Sequence, residues 1–513
     1  MSTITPMKRL KLIGLCAALC GFTAPFAGAQ PAARPASAPA SSDFAASLAL
    51  RTDRIVADST RPMFGWLTQT SPVAYASKGA LRLKVVLAPW DGEPKPVKEL
   101  GTFTIYGGNL AATPVPFTAE LRSVPDGFYR YVAELFDGDA SIAKLEKHVV
   151  LVAGLEEKQI SFTQRLAKIA GHDSAKASVL YPFDLARVIN LGKRVYGSGN
   201  GAPDFGLTQA GVQTLYDFSA GLKKSAELLA ALERGKDPVV RSGGDLVRHY
   251  HMKEADEILP YRVYVPSNWD GKTALPLVFV LHGNSRDQDF YFDRDGRVIP
   301  KAAEKHGFMM VAPLAYWPNG GYNYVPFNRE RGARGIAAAM SSAQQFGPAP
   351  AATQGGGGRG GAGGGFGGVN GSTIPALVRS EWSEQDAMHV FDLIKAEYPI
   401  DPKRIFLFGY SAGGQGGHYF AQKYADNWAA VAIGGSNAAV GAFYDTDKVK
   451  KIPMMVFAGS EDGVAAATKA IGEALKGKGI DATVKIYPGA THDTAPSVAV
   501  GDAFDFFAAH GRK

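Results

Sequence analysis

Residues 404–414, with the sequence RIFLFGYSAGG, constrain the fold of this chain more than any other segment. The apolar run 405–408 is bounded by polar residues, which is typical of a buried strand in a parallel sheet. The motif GYSAG at 409–413 follows, and the next residues have a helical pattern. A strand that turns sharply into a helix through G-x-S-x-G lifts a serine hydroxyl above the sheet, near the positive end of the helix. The motif predicts a nucleophilic Ser411, although a chain with 60 glycines can also form an ordinary tight turn here.

Two later residues could activate this serine. A serine hydroxyl is a poor nucleophile until a neutral imidazole, held in one tautomer by a carboxylate, removes its proton. Asp462 directly follows an apolar run that predicts a strand, and His492 follows the next predicted strand. This order, serine then acid then histidine on loops after successive strands, is the one that the strand-turn-helix motif requires. We therefore predict Ser411, Asp462 and His492 as the catalytic residues.

Each predicted partner has competitors nearby. Glu461 adjoins Asp462 and could orient the imidazole instead, but its longer side chain next to the strand is less favoured. Asp493 is too near the predicted base in sequence to serve comfortably as its acid. His418 lies in the helix after the serine and would point away from the hydroxyl, so it is interpreted as a packing residue. His282 is interpreted as a structural or oxyanion-side residue.

An oxyanion site is predicted from the same geometry. Negative charge develops on the carbonyl oxygen when the serine attacks, and two backbone donors should meet it. Ala412, which follows the nucleophile, supplies one N–H group, and the loop 282–285 supplies the other, which we assign to Asn284. Gly283 permits the close approach that this arrangement requires.

The segments around the motif predict an α/β domain. Two antiparallel strands lead into buried strands that alternate with helices, which indicates a parallel sheet with its site at the carboxyl ends of the strands. The predicted strands cover 245–251, 259–265, 277–281, 309–314, 405–408, 428–433, 453–457 and 483–487. A glycine-rich insertion, 345–371, interrupts the alternation and is expected to be flexible. Trp317, Tyr322 and Tyr410 are candidate substrate-binding residues, and a core role is an equal alternative for the aromatic residues before the insertion.

The sequence of the first half of the chain predicts four further segments. Basic residues followed by the apolar run 12–22 and by small residues at 27–29 indicate a signal peptide over 1–29, with an uncleaved anchor as the alternative. A Pro/Ala linker at 30–43 precedes an antiparallel β-sandwich at 44–153, with predicted strands at 81–87, 117–121, 129–135 and 148–152. Residues 125–131 are similar to a segment of immunoglobulin-like domains. Helical spacing over 154–240 predicts a connector to the catalytic domain, 241–513.

Composition excludes several classes of function. Both cysteines, Cys16 and Cys20, lie in the predicted signal peptide, or leader, at 1–29. The mature chain would therefore be neither a thiol enzyme nor a cysteine-ligated metal protein. The leader carries three basic residues, so its removal changes the formal charge from +7 to +4. Arg359 alone offers little charge to a nucleic acid, and we expect no such partner and no metal site. After cleavage of the leader we also expect no stable membrane anchor.

From about residue 257 onward, the chain resembles secreted α/β-hydrolases of the polyhydroxybutyrate depolymerase-like and feruloyl esterase-like group, also called prolyl-oligopeptidase-like hydrolases. The resemblance lies in LPYRVYVP at 259–266, PLVFVLHG at 276–283, SEQD at 383–386, DPKRI at 401–405, GYSAG at 409–413, and GSED at 459–462 with His492. It implies a cofactor-free Ser/Asp/His hydrolase of carboxylic esters. The glycine-rich insertion and the long N-terminal half depart from that group, so the resemblance does not specify a substrate.

The leading hypothesis is therefore an exported, secreted or periplasmic serine esterase that acts on a small or polymeric ester. A serine peptidase of the prolyl-oligopeptidase type is the second hypothesis, but the N-terminal half lacks the blade repeats of the propeller that such peptidases carry. The third hypothesis is a non-catalytic protein that binds a glycan or a wall polymer. The complete set of catalytic residue types argues against it.

Overall fold

A computed structural model describes residues 41–512 of the 513-residue chain, except for 91–92, 94, 106–109, 111–112, 192–207, 210–211, 214–215, 241–242, 285, 317–320, 324–380 and 437–444. The predicted signal peptide, most of the linker and the glycine-rich insertion lie outside the described residues, as does Trp317. The last residues assigned to the linker, 41–43, belong to a helix.

Two sheets of mainly antiparallel strands form the first unit. It begins with a short helix, α1 (Ser41–Ser47), and contains the strands β1 (Leu48–Thr52), β2 (Val56–Asp58), β3 (Met63–Gln69), β4 (Leu81–Pro89), β5 (Lys98–Ile105), β6 (Val115–Ala119), β7 (Gly127–Asp137) and β8 (Ala140–Val152). One sheet has the order β1-β3-β6, and the other has the order β2-β8-β7-β4-β5. Every neighbouring pair is antiparallel except β2 and β8, which run parallel.

The two sheets share one apolar core. Leu67 and Phe117 of the three-stranded sheet and Leu83, Val85 and Tyr131 of the five-stranded sheet are all at most 3% exposed and belong to one cluster. The alternation of these strands places every second side chain in that core, as packing of two sheets face to face requires. An immunoglobulin-like strand arrangement stays a prediction.

Three helices connect this unit to the second one. They are α2 (Leu155–Leu166), α3 (Asp173–Asn190) and α4 (Phe218–Glu233), and two short paired strands, β9 (Thr208–Gln209) and β10 (Val212–Gln213), lie between the last two. Phe183 and Leu229 of the helices pack in one cluster with Val56 and Val152 of the five-stranded sheet. The apolar stripe of the helices is therefore buried against the outer side of that sheet.

An eight-stranded sheet forms the second unit. Its strands are β11 (Gly244–Met252), β12 (Glu257–Val265), β13 (Leu275–Leu281), β14 (Met309–Pro313), β15 (Ile400–Tyr410), β16 (Ala430–Gly434), β17 (Met454–Gly459) and β18 (Ala482–Tyr487). Its helices are α5 (Phe290–Asp293), α6 (Val298–His306), α7 (Trp382–Glu397), α8 (Ala412–Lys423), α9 (Thr446–Val449), α10 (Ala465–Gly477) and α11 (Ala495–Ala509), with 3₁₀ turns at Asp295–Arg297, Gly321–Asn323 and Ala425–Asn427.

The order of this sheet is β11-β12-β14-β13-β15-β16-β17-β18. Strand β12 is antiparallel to both of its neighbours, whereas β13 to β18 run parallel. Apolar clusters lie on both faces, one centred on Phe279 and Leu407 and the other on Phe406 and Phe408. This is the α/β-hydrolase fold that the sequence predicts. Its parallel strands direct the loops after β13, β15, β17 and β18 to one edge, where ligand sites of such sheets lie.

None of the helices in the described part of the chain is both long enough and apolar enough to span a lipid bilayer.

Candidate active site

Ser411 occupies a strained turn between strand β15 and helix α8. Its φ is 60° and its ψ is −123°, a conformation that a non-glycine residue adopts only at an energetic cost. The turn is fixed on both sides, because the Ser411 N–H group donates to Gly434 O at 3.0 Å and Gln415 N–H donates to Ser411 O at 2.9 Å. Ser411 is partly exposed, whereas the six strand residues just before it, 405–410, are buried. The backbone therefore presents the hydroxyl at the carboxyl edge of the sheet.

The glycines of the motif permit close contact between backbones. A Cβ atom on Gly409 would lie 2.3 Å from Gly413 O, and one on Gly413 would lie 2.0 Å from Leu281 O. Both distances are far below van der Waals contact and both neighbours are backbone atoms, which cannot rotate away. The motif thus lets α8 start directly against β13 and β15, as the sequence pattern predicts.

Asp462 and His492 lie together at the same edge. His492 Nδ1 lies 2.8 Å from Asp462 Oδ2, and the N–H group of Val464 donates to Asp462 Oδ1 at 3.0 Å. Burial by itself would raise the pKa of Asp462, but the hydrogen bonds from His492, Tyr410 and Val464 hold this pKa below its usual value. The Asp462 side chain is 2% exposed, whereas that of His492 is 44% exposed. A buried, ionised carboxylate therefore orients an accessible imidazole.

Tyr410 connects this pair with the nucleophile strand. Its hydroxyl donates to Asp462 Oδ2 at 2.5 Å, and its ring centroid lies 5.2 Å from that of His492. Because Tyr410 immediately precedes Ser411, these contacts bring the acid and the histidine beside the turn. The sequence suggests a substrate-binding role for Tyr410, but its side chain is 2% exposed, and the contacts described for it are with protein groups. Sequence reasoning missed this contact, which joins residues 52 positions apart.

The loop after β13 lies beside the serine. A Cβ atom on Gly283 would be 3.4 Å from Ser411 Cβ and 3.8 Å from Ser411 Oγ, so the loop backbone closely approaches the hydroxyl. Asn284 follows in an exposed turn. Ala412 is the first residue of α8, and N–H groups in the first turn of a helix have no intrahelical acceptor. The predicted oxyanion donors thus belong to backbone segments on either side of Ser411.

His282 and Tyr322 are buried beneath this loop. The two ring nitrogens of His282 lie 2.9 Å from Gly283 O and 2.8 Å from Leu314 O, and the Tyr322 hydroxyl donates to His282 O at 3.1 Å. Burial lowers the pKa of His282, which favours the neutral ring. Tyr322 is 1% exposed, so it supports the loop instead of presenting a surface to a substrate. His282 has the structural placement that the sequence indicates.

The competing acids and base lie in other environments. Glu461 is exposed, and Asp493 faces Arg286, whose Nη2 lies 3.3 Å from Asp493 Oδ1. His418 is buried within α8, and burial lowers its pKa to about 3. Among the described residues, Asp462 is therefore the carboxylate that contacts His492. No group of three or more His, Cys, Asp or Glu side chains in the described ranges is arranged to hold a metal ion.

Comparison with known protein families gives one match in this part of the chain. Residues 377–497 match the model of the Dienelactone hydrolase family. The second unit thus combines the α/β-hydrolase strand order with a segment similar to this hydrolase family. The matched segment includes Ser411, Asp462 and His492, and it supports an ester hydrolase. We refer below to the eight-stranded sheet with its helices, from β11 to α11, as the hydrolase domain.

Solved structures similar to this chain include several esterases. A thermostable esterase aligns over 91% of this chain and 100% of its own, at 14% identity and a TM-score of 0.35. FphF, a fluorophosphonate-binding serine hydrolase of Staphylococcus aureus, covers 52% of this chain and 98% of its own at 15% identity and a TM-score of 0.35. A ferulic acid esterase of Anaeromyces mucronatus covers 54% and 93% at 15% identity and a TM-score of 0.34. These scores are low, so the fold of the hydrolase domain is identified from its strand order. No curated protein matches the chain.

Proposed function

We propose that this protein is an exported serine hydrolase that cleaves carboxylic esters through an acyl-enzyme on Ser411. The observation that carries the proposal is the 2.8 Å contact between His492 Nδ1 and Asp462 Oδ2, next to a serine held at a φ of 60°. A carboxylate at Nδ1 leaves Nε2 of the neutral ring without its proton, which is the form that acts as a base. The basic and apolar leader over 1–29 supports export.

In the first half-reaction, Ser411 Oγ attacks the carbonyl carbon of the ester while His492 Nε2 accepts the hydroxyl proton. The carbonyl oxygen becomes an oxyanion, which accepts hydrogen bonds from the N–H groups of Ala412 and Asn284. The positive end of α8 stabilises the same charge. Asp462 stabilises the imidazolium that forms, since its carboxylate is already ionised and in contact with Nδ1.

The tetrahedral intermediate then collapses and the bond to the leaving oxygen breaks. The imidazolium of His492 gives its proton to the departing alcohol, which leaves an acyl group on Ser411 Oγ. In the second half-reaction His492 takes a proton from water, the hydroxide attacks the acyl carbon, and the carboxylic acid departs as the serine regains its proton. The 44% exposure of the His492 side chain supports access of water to this ring.

The substrate is proposed as a carboxylic ester, small or polymeric, without a cofactor. The family match supports ester hydrolysis in general and names no acyl group for this chain. Trp317 remains a candidate for contact with the acyl group and lies outside the described residues.

Replacement of Ser411 by alanine tests this function. Hydrolysis of short p-nitrophenyl esters by Ser411→Ala should fall by about 10⁴-fold or more, because a catalytic set loses almost all of its effect with its nucleophile. A fluorophosphonate probe should label the wild-type protein at Ser411 and leave the variant unlabelled. Ser267→Ala, which removes an exposed hydroxyl at the far side of the sheet, is the matched control and should keep wild-type rates. Wild-type ester hydrolysis by Ser411→Ala would disprove the proposal, and faster cleavage of peptides than of esters would favour a peptidase.

A further inference from the structure

Tyr410 is enclosed at the end of the nucleophile strand. Its ring packs against Phe457, at 5.4 Å between ring centroids, and against the ring of His492. The neighbouring strand provides room for it, because a Cβ atom on Gly435 would lie 2.2 Å from Tyr410 Cε1 and one on Gly434 would lie 3.0 Å from Cε2. The two glycines at the end of β16 thus leave space for this ring, whose hydroxyl extends to Asp462 in the loop after β17.

The hydroxyl reaches the carboxylate that contacts His492. Asp462 Oδ2 accepts from the Tyr410 hydroxyl at 2.5 Å and also lies 2.8 Å from His492 Nδ1. Asp462 Oδ1 accepts from the N–H group of Val464 at 3.0 Å. The tyrosine and the histidine therefore share one oxygen, while the backbone holds the other.

We propose that the Tyr410 hydroxyl is a positioning group for the reaction, which fixes the Asp462 carboxylate and shares the charge of Oδ2 with His492. This inference rests on the proposed function. It replaces the substrate-binding role that the sequence suggested for Tyr410, since the residue is 2% exposed.

The first effect of this arrangement is geometric. With one oxygen held by a backbone N–H group and the other by a buried hydroxyl, the carboxylate cannot rotate about its Cβ–Cγ bond without breaking a hydrogen bond. His492 lies on an accessible loop, so the orientation of its ring depends on this fixed acceptor.

The second effect is electrostatic. A hydroxyl that donates to Oδ2 withdraws part of the negative charge that would otherwise face His492 Nδ1. The imidazolium is then stabilised less strongly than beside a carboxylate without a second donor. Such an imidazolium gives up its proton to the leaving alcohol more readily, so Tyr410 balances the two proton transfers that His492 performs.

Tyr410→Phe tests the inference, because it removes the hydroxyl and keeps the ring that packs on Phe457. We expect kcat for p-nitrophenyl esters to fall by about tenfold and KM to stay within about twofold, since the hydroxyl acts on the base and not on substrate binding. The acid limb of the pH profile of kcat/KM should move to higher pH, because Oδ2 then faces His492 with its full charge and favours the protonated ring. Asp493, Arg286 and Glu461, the other ionisable groups described around His492, are unchanged in this variant.

A matched control separates catalysis from stability. The hydroxyl of Tyr250, itself 6% exposed, donates to the buried Asp386 at 2.6 Å, so Tyr250→Phe removes an equivalent hydrogen bond elsewhere in the hydrolase domain. This control should lower the melting temperature about as much as Tyr410→Phe while it leaves the pH profile at its wild-type position. A double-mutant cycle with Asp462→Asn adds a second measurement, and Tyr410→Phe should change kcat little in that background if it acts through Asp462.

The outcomes distinguish the two proposals. Full activity of Ser411→Ala would overturn the proposed function itself. An inactive Ser411→Ala together with wild-type kcat and an unmoved acid limb in Tyr410→Phe would overturn only the inference about Tyr410. An equal loss from Tyr410→Phe in the wild-type and Asp462→Asn backgrounds would also overturn it, since the tyrosine would then act independently of the carboxylate.

Discussion

His282 holds the loop that is proposed to bind the oxyanion. Its ring nitrogens face Gly283 O and Leu314 O, at 2.9 and 2.8 Å. When the single N–H group of the neutral ring is on Nδ1, it donates to Gly283 O, and because a trans peptide directs its C=O and N–H groups to opposite sides, this hydrogen bond orients the N–H group of Asn284. Gly283 itself lies close to the nucleophile, since a Cβ atom on it would be 3.8 Å from Ser411 Oγ.

Substitution of His282 by phenylalanine should slow catalysis. The variant keeps a buried ring and removes both nitrogens, so the Gly283 peptide is held less firmly. We expect kcat to fall by about tenfold, which is less than the 10²–10³-fold loss on removal of a whole oxyanion donor, while KM changes little. Steady-state kinetics on p-nitrophenyl esters measure this. Tyr322→Phe, which loses the hydrogen bond to His282 O but keeps the imidazole, is the control and should have a smaller effect. Unchanged kcat in His282→Phe would contradict the role.

The residues of the site differ in how far the sequence predicts them. Ser411 and Asp462 each follow a strand with an evident apolar run, and His492 follows β18, in which apolar and polar residues alternate. Strand ends determine where such residues lie, so the sequence predicts all three. The contact between Tyr410 and Asp462 depends on the path of a loop and on the space above Gly435, neither of which local sequence encodes. Polar contacts between distant loops are therefore the part of the site that required the structure.

At the scale of elements, Asp58 joins strand β2 to helix α2. Its Oδ1 accepts from the N–H groups of Thr60 at 2.9 Å and Gly154 at 3.0 Å, and its Oδ2 accepts from Glu156 N–H at 3.0 Å. The residue before α2 is Gly154, which has no side chain to cap the helix, so an aspartate about a hundred residues earlier supplies the acceptor. Burial would raise the pKa of Asp58, but these hydrogen bonds and that of the Thr60 hydroxyl hold it below its usual value.

Asp58→Asn should therefore destabilise the first unit in a pH-dependent way. The folded pKa lies below the unfolded one, so the ionised carboxylate contributes stability above the unfolded value, near 4, and that contribution is lost as pH falls through the folded pKa. We expect the free energy of unfolding to fall by about 1 kcal/mol at pH 7, and the difference from the wild-type protein to become smaller below about pH 4. Urea unfolding of both proteins at pH 7 and pH 3 measures the difference.

Asp126→Asn is the control for that experiment. Asp126 Oδ1 accepts from Ala153 N–H at 2.7 Å near the same helix start, but the contact is exposed, so its loss should matter less. A difference between wild type and Asp58→Asn that is the same at both pH values would show that the ionised form has no special role.

The sequence predicts a strand correctly where its apolar run is long. The predicted strand 277–281 corresponds to β13, Leu275–Leu281, because a strand that is buried on both sides is apolar at every position. Strand β2 has three residues, all buried, and is too short to show a period. Strand β5 alternates imperfectly, and Gly101 lies where the pairing of β4 with β5 shifts register, so its pattern predicts no strand.

At the scale of the whole molecule, a charged cluster joins the helical connector to the hydrolase domain. Glu397, at the end of α7, accepts a hydrogen bond from the hydroxyl of Ser174 in α3 at 2.7 Å and also binds Arg248 Nη2 of β11. Arg248 is 1% exposed, and its guanidinium lies 5.5 Å from the ring centroid of Tyr261 and 5.8 Å from that of Tyr398. The Glu397 carboxylate therefore interacts with one residue of the helical connector, Ser174, and with one residue of the hydrolase domain, Arg248.

Glu397→Ala should destabilise the protein by about 3 kcal/mol, because it leaves the buried charge of Arg248 without its carboxylate. The midpoint of urea unfolding, followed by tryptophan fluorescence, measures this. Glu233→Ala removes an exposed ion pair with Arg165 between α2 and α4 and should leave the midpoint near its wild-type position. Equal effects of the two substitutions would show that burial of Arg248 does not determine the result.

The backbone angle of Ser411 has a consequence for the evolution of the whole molecule. A φ of 60° with a ψ of −123° costs of order 1–3 kcal/mol for a serine, whereas glycine adopts such angles readily. Ser411→Gly should therefore melt at a higher temperature than the wild-type protein even though it loses the hydroxyl, and calorimetry of the two would measure the gain. At this position selection for stability alone would favour glycine. A serine retained here would mark a compromise in which the chain keeps a less stable native state in exchange for a reactive group.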